Sequence, residues 1–401
     1  MRRARVRPAR NFWLAGTRAS LVGDAALYLA LSWAASAHGG QMAALVLSAI
    51  TLPRTVLLLL GGAVGDRFGA RRVMITGDVV MLAAVLALAV AARTWGTPAW
   101  MLLGFATVVG TVDAFYLPAT GSMPRRLVSK EQLPRAMALR QAGGQVASLL
   151  GAPLGAVLVA MAGLSGTALV DACSFAAVLA VMVWVRPVAE AERPPRAESL
   201  LAGIADGVKL AATDPVLRPA LLLTAAAAAG LLPAVALLSP LLARSNGWGP
   251  GSAGLVAAGQ GVGILLAAPL AARLGPMHRI GVGTSLGLAL AAVGLAGLTA
   301  APAPAAAIAA AMVAGAGSGV FSCHIGPLVL VGAPDTHLSR VQSLLTLVQS
   351  LALVVATNVL GWLANAAGAR SAIVVCAVLG CVAGVAGLAS TPLRGLRQAG
   401  S

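Results

Sequence analysis

The chain has 401 residues; 59% are hydrophobic, 47 are glycine and only 10% are charged, and its mean hydropathy is +0.90. A water-soluble core cannot absorb that much apolar surface, so the composition excludes a soluble globular protein and puts the chain in the membrane class. The net charge of +16 raises nucleic acid as a partner, but the positions of the charges exclude that too.

A window of about 19 residues picks out apolar stretches near 12–37, 41–64, 73–92, 99–122, 136–160 and 166–185. After a polar interruption, six more follow near 219–243, 251–272, 280–300, 304–332, 341–365 and 371–390. Each can cross a ~30 Å hydrocarbon layer as a helix rising 1.5 Å per residue. Strands of about ten residues with alternating polarity, the mark of a membrane β-barrel, do not occur. The predicted fold class is therefore an all-α integral membrane protein. Its twelve transmembrane helices form two pseudo-symmetric six-helix bundles over 1–185 and 219–401.

Span one follows "MRRARVRPAR", which resembles a secretory leader, but the apolar run is too long and carries Arg18 and Asp24. No cleavage is expected. With the N-terminus inside, the tails and the even-to-odd loops hold 22 of the 28 Lys and Arg residues, and the outer loops hold only Arg93, Arg244 and Arg370. That asymmetry places both termini in the cytoplasm and the protein in the cytoplasmic (plasma) membrane. Basicity here sets topology; the partner is the lipid bilayer, and no nucleic acid is implied. Trp13, Trp95, Trp100 and Trp184 stand near span ends, where an aromatic belt belongs.

Asp24, Arg54 and Asp113 lie roughly 18, 16 and 14 Å into spans one, two and four, counted at 1.5 Å per residue. An ionisable group at that depth costs at least ~2.5 kcal/mol unless it is paired or faces a wet cavity. The expectation is that Arg54, behind Pro53, pairs with Asp24, and that Asp113 is a proton-accepting acid. The same three residues can also be read as a permanently paired cluster that only fixes helix packing.

Between spans two and three runs "GAVGDRFGARR", with four charges in a short turn. Gly69 can adopt a positive φ and close the turn, and Gly62 lets span two approach a neighbour. Arg71 and Arg72 are expected at the cytoplasmic headgroup level, and Asp66 can cap another helix N-terminus. Asp78 and Asp171, toward the ends of spans three and six, read as helix-end or packing groups. In span five, Arg140 shares a stripe with Gly144, Gly151 and Gly155, at steps of 4, 11 and 15 residues. The glycines make a strip for close helix packing.

The interruption at 186–218 reads as a cytoplasmic linker, with Leu200 to Ala212 an amphipathic helix at the membrane surface. Around it the chain repeats weakly: 133–163 aligns with 338–368 at seven of 31 positions, including Gly163 with Gly368. "DRFG" at 66–69 is echoed by "ARLG" at 272–275. His324 reads as hydrogen-bonded structure. Cys173, Cys323, Cys376 and Cys381 sit in spans with no metal or disulfide spacing. No phosphate-binding glycine loop occurs, so ATP is not the direct energy source. No metal site, cofactor or catalytic residue is expected.

Six plus six spans, with G-x-x-x-D-R-x-G-x-R-R filled by Gly62, Asp66, Arg67, Gly69, Arg71 and Arg72, strongly resemble the major facilitator superfamily. "FYLPATGSMPRRLVSKEQLPRAMALRQAGG" followed by "GAPLGA" looks like its drug- and siderophore-exporting branch, which includes enterobactin and macrolide exporters. The resemblance implies that Asp66 meets the start of span eleven and latches the halves on the cytoplasmic side. The family's span-five G-P-x-x-G-G stands here as Gly151-Ala152-Pro153-Leu154-Gly155-Ala156. Its buried span-four arginine is replaced by Ala106, and Arg140 is expected to serve instead and reach Asp113.

The function implied is proton-coupled efflux of an amphipathic small molecule, of antibiotic or siderophore type, by alternating access. Protons and that substrate are the partners, and a monomer is the working unit. The rival readings are an uptake carrier or uniporter of the same fold, a membrane-embedded enzyme, and a non-transporting protein of this fold.

Overall fold

The computed structural model describes residues 21–127, 133–184, 214–274, 280–332 and 338–395, and the regular elements of these segments are helical. The first five are α1 (Leu21–Ser36), α2 (Gly40–Phe68), α3 (Ala70–Trp95), α4 (Ala99–Leu127) and α5 (Leu133–Trp184). Then come α6 (Leu217–Ser245), α7 (Pro250–Leu274), α8 (Ile280–Ala300) and α9 (Pro304–Gly332). The last are α10 (Leu338–Ala367), α11 (Ala369–Ala389) and the short α12 (Thr391–Gly395).

Ten helical ranges are long and apolar enough to cross a membrane, and α1 is a shorter apolar helix. One of the ten, in α5, is two spans: Gly163, at φ +64°, breaks the helical path. With α1 and both limbs of α5 counted, the described residues carry twelve spans, where the hydropathy places them.

Local chemistry explains several boundaries. Gly69, at φ +86° and ψ 134°, occupies a sparsely populated backbone region that costs an L-residue about 1–3 kcal/mol, so α2 turns into α3 there. Asp214 opens α6, its Oδ1 accepting the Val216 and Leu217 amides at 2.8 Å each, which satisfies two of the orphan donors of a helix start. Within α6 the path widens into a π-type turn at Ala234–Leu238. Pro240 has no N–H to offer the preceding turn, and the Ser239 hydroxyl donates to the Val235 carbonyl at 3.0 Å.

The aligned repeats share a landmark. The matched Gly163 and Gly368 both take positive φ, +64° and +88°, at the turn into the next span.

The chain divides into two compact units, 1–38 with 45–195 and 39–44 with 196–401. In the first, α3 packs on α4 and α5 around Ala70, Val73, Met74, Ala119, Val178 and Met182. Small residues set the spacing: the Gly61 and Gly110 positions of α2 and α4 lie directly against the backbone of Ala114 and Ile50. In the second, α9 packs between α7 and α8. Gly315 meets the Gln260 backbone of α7, and Gly317 meets that of Ala291 in α8. The first turn of α2 belongs to this unit, the Gly40 amide donating to Asn365 Oδ1 at 2.6 Å.

Bulky side chains such as Val56, Val90, Leu351 and Val385 point outward, as lipid requires where apolar burial no longer drives helix association. Trp95 and Trp100 pack with ring centroids 5.7 Å apart at the α3–α4 turn, the expected place for interfacial aromatics.

Candidate functional site

The polar residues of the first unit gather around one small cavity. α1 supplies Asp24 and Tyr28, four residues apart and so on one face; α3 supplies Asp78, and α4 supplies Asp113 and Tyr116. Leu31, Met81, Phe105 and Phe175 complete the wall. The volume is about 40 Å³, room for roughly two or three waters at the ~10–15 Å³ each needs on this measure. Drug-sized ligands need pockets of about 300–1,000 Å³. The cavity therefore suits water and protons, not an organic substrate.

Asp113 is the best-connected acid. The Tyr28 hydroxyl donates to its Oδ2 at 3.1 Å, and Arg54 Nη1 stands 3.9 Å from the same oxygen. The Arg54 and Asp113 side chains keep 35% and 24% of their exposure. The expected Arg54–Asp24 pair is thus replaced by Arg54–Asp113. The cause is the close contact of α2 with α4, where Ile50 meets Gly110 and Gly61 meets Ala114. Arg54 lies between those contacts and runs alongside Asp113.

Asp78 and Asp171 are not helix-end groups. Asp78 is fully buried, neither of its oxygens accepts a hydrogen bond of normal geometry, and the Tyr116 phenol stands beside it. Gly77 makes room for that ring; a β-carbon there would sit 2.9 Å from Tyr116 Cδ2. Asp171, on the second limb of α5, is 1% exposed and accepts the Ser174 hydroxyl at 3.0 Å. It presses against Gly23 of α1, which brings a fourth carboxylate into electrostatic reach of Asp24.

Sequence reasoning passed over Tyr28 and Tyr116, and it gave Asp78 and Asp171 only a helix-end or packing role. Two signals were present. The chain has only two tyrosines, and each stands one turn beyond an acid, Asp24 or Asp113. Gly-Asp occurs in span one at Gly23-Asp24 and in span three at Gly77-Asp78.

In the signature turn, Gly62 has open space beside it. Arg67 is exposed, its guanidinium 5.5 Å from the Phe68 ring centroid, and Arg72 is exposed as well. Arg71 does not reach simply for headgroups: its Nη2 donates to the Met182 carbonyl at 2.8 Å. It thereby fills a need for donors at the C-terminal turn of α5, where a cation also suits the helix dipole.

On the span-five stripe, Gly151 and Gly155 lie against Val22, Ala25 and Ala26 of α1, and Gly144 has open space. Asp66 and Arg140 lie on described helices, but their side chains fall outside the described residues, as does the linker helix expected over Leu200 to Ala212. His324, in the second unit, is 3% exposed. Its Nδ1–H donates to the Val320 carbonyl at 2.7 Å, and its ring packs on Gly283.

The described residues thus form a helical membrane protein with a water-sized, acid-lined cavity in its first unit. The pattern of the Major Facilitator Superfamily matches residues 14–357, and the chain belongs to that superfamily. It is a multi-pass membrane protein of that superfamily.

One curated relative is the multidrug efflux pump Tap of Mycolicibacterium fortuitum, 29% identical over 229 residues. The match covers 54% of this chain and 56% of Tap, so the chain spans about half the length of that relative. Among solved structures, a POT family transporter in complex with 5-aminolevulinic acid superposes with TM-score 0.77 at 12% identity, covering 97% of each chain. The nucleoside transporter NupG gives 0.77 at 10% identity, over 96% of this chain and 100% of that one. A bacterial homologue of the human lysosomal transporter Spinster, inward-facing and unoccupied, gives 0.73 at 14% identity, over 96% of this chain and 98% of that one. At these identities the structures speak for the fold alone.

Proposed function

We propose that this protein is a proton-coupled exporter of amphipathic small molecules of the antibiotic type, working by alternating access in the cytoplasmic membrane. Both termini face the cytoplasm. Asp113 is its proton-exchanging acid, and Asp24 and Arg54 tune it; Arg140, on span five, is assigned to the same group.

The observation that carries the reading is the single Asp113 oxygen shared by a phenol at 3.1 Å and a guanidinium at 3.9 Å, beside a water-sized cavity. At 3.9 Å, unit charges attract by about 4 kcal/mol at an effective dielectric of 20 and by about 1 kcal/mol where water screens fully. Both side chains are partly exposed, so the pair lies between these limits. An interaction of that size can be made and broken in each cycle. Protonation of Asp113 cancels it and frees Arg54, and loss of the proton restores it. Export, not uptake, is favoured by the likeness to an efflux pump over half the chain.

The test uses bacteria deleted for their own pumps and expressing the full chain. They are loaded with ethidium or with members of an amphipathic antibiotic panel, with and without a protonophore. Protonophore-sensitive export is expected. Accumulation that expression lowers equally well in the presence of protonophore contradicts proton coupling.

A further inference from the structure

We propose that Asp78 is a second proton-binding residue of the transporter. A proton reaches it from Asp113 through water in the cavity, with the phenols of Tyr28 and Tyr116 as hydroxyl links. The inference rests on the proton-coupled reading and adds to it an inner store and a route.

Asp78 is fully buried, faces the cavity, and has no hydrogen-bond donor of normal geometry on either oxygen. Buried carboxyl oxygens in folded proteins are almost always partnered, and leaving a charged one bare in apolar surroundings is expensive. The groups facing it from neighbouring helices are Asp24 and Tyr28 of α1, Asp113 and Tyr116 of α4, and Asp171 of α5 beyond Asp24. Among the described residues the cation at this site is Arg54, and it stands on Asp113. Beyond the Tyr116 phenol beside it, the partners left for Asp78 are water and a proton.

A metal ion does not fit instead: among the described residues, no three acidic, histidine or cysteine side chains come close enough to hold one. The acids share a cavity without converging on a point. A volume of about 40 Å³ takes roughly two or three waters, enough for a short hydrogen-bonded chain. Each phenol can donate to an acid while accepting from a water; Tyr28 already donates to Asp113, and Tyr116 stands beside Asp78. Exposure sets the order, since Asp113 keeps 24% of its side-chain exposure and Asp78 none.

The transfer balances simply. Asp113 takes a proton from water outside and passes it to a cavity water, which gives one of its own protons to Asp78. The net change is one proton moved from bulk to Asp78, with no bond between heavy atoms made or broken.

The test counts protons without any substrate. The purified full-length protein in detergent, at minimal buffer strength, is given an acid jump, and a pH-indicator dye follows proton uptake per chain. Asp78→Asn, which keeps shape and volume, is expected to take up one proton fewer than wild type. Tyr116→Phe is expected to take up the full number more slowly. Wild-type uptake by Asp78→Asn, or wild-type speed in Tyr116→Phe, overturns the proposal; should Asp78→Asn fail to fold, Tyr116→Phe decides alone. If export proves indifferent to protonophore, the coupled-export reading fails separately, because the proton count does not depend on transport.

Discussion

Replacing Gly155 by alanine puts a methyl group into the backbone of α1. The added carbon would stand 2.7 Å from the Ala26 Cα and 2.9 Å from its carbonyl carbon, nearer still to its oxygen. Backbone atoms cannot swing aside as a flexible side chain can, so the two helices must separate. Overpacking of this kind costs about 1–3 kcal/mol, offset by the ~0.5–1 kcal/mol that alanine gains over glycine inside a helix. Because the clash is with rigid backbone, the upper part of the overpacking range applies, and the net expectation is a loss of about 1–2 kcal/mol. Gly144 lies on the same stripe with open space beside it, so Gly144→Ala keeps only the gain. A change of 1 kcal/mol moves Tm by roughly 2–4 °C for a unit of 150–250 residues. Thermal unfolding in detergent, followed by near-UV circular dichroism, should therefore show Gly155→Ala melting about 2–8 °C below wild type. Gly144→Ala should melt at or slightly above wild type. A Gly155→Ala protein that melts at the wild-type temperature, or a Gly144→Ala protein that falls as far, refutes the packing argument.

Two further outcomes follow from the site. Arg71→Ala removes the donor to the Met182 carbonyl and should lower stability by about 1.5–3 kcal/mol, a typical figure for a hydrogen bond from a charged group. Amide exchange at the end of α5 should rise with it; unchanged protection there would dismiss the capping role. Tyr28→Phe deletes the hydroxyl on Asp113 without changing the ring. Protonophore-sensitive ethidium export should fall on the order of tenfold, the rate equivalent of a ~1.5 kcal/mol bond to a charged acceptor. Export at the wild-type rate would take Tyr28 out of the site.

The spans were legible because each is a long apolar run with a polar border. The stretch read at 371–390 is α11 (Ala369–Ala389) to within two residues at each end. The repeat was legible through matches such as Gly163 with Gly368, and the structure adds that both take positive φ. Rotation of helices about their own axes was not legible. Depth along a span can be counted at 1.5 Å per residue, and it put Asp24, Arg54 and Asp113 at one level. It cannot say which face of α2 meets α4, and so Arg54 was given the wrong partner. The same limit hid Asp78 and Asp171: distance from a span end says nothing about whether a side chain points at lipid, at a neighbour or into a cavity. The phenols were missed for another reason. Tyrosine near an acid is common, and only the packing of α1 on α4 turns Tyr28 into a ligand of Asp113. The wide turn at Ala234–Leu238 lies between Pro233 and Pro240 and leaves no hydropathy signal.

The most direct test of proton-coupled export through Asp113 is a flux measurement on the full-length protein in sealed liposomes containing a pH-sensitive dye. Ethidium is added under an imposed pH gradient, and proton movement is followed in wild type and in Asp113→Asn. Ethidium-dependent proton counterflow is expected in wild type and its loss in Asp113→Asn, with the variant still folded and still binding ethidium. Proton counterflow that persists in Asp113→Asn would contradict coupling through Asp113.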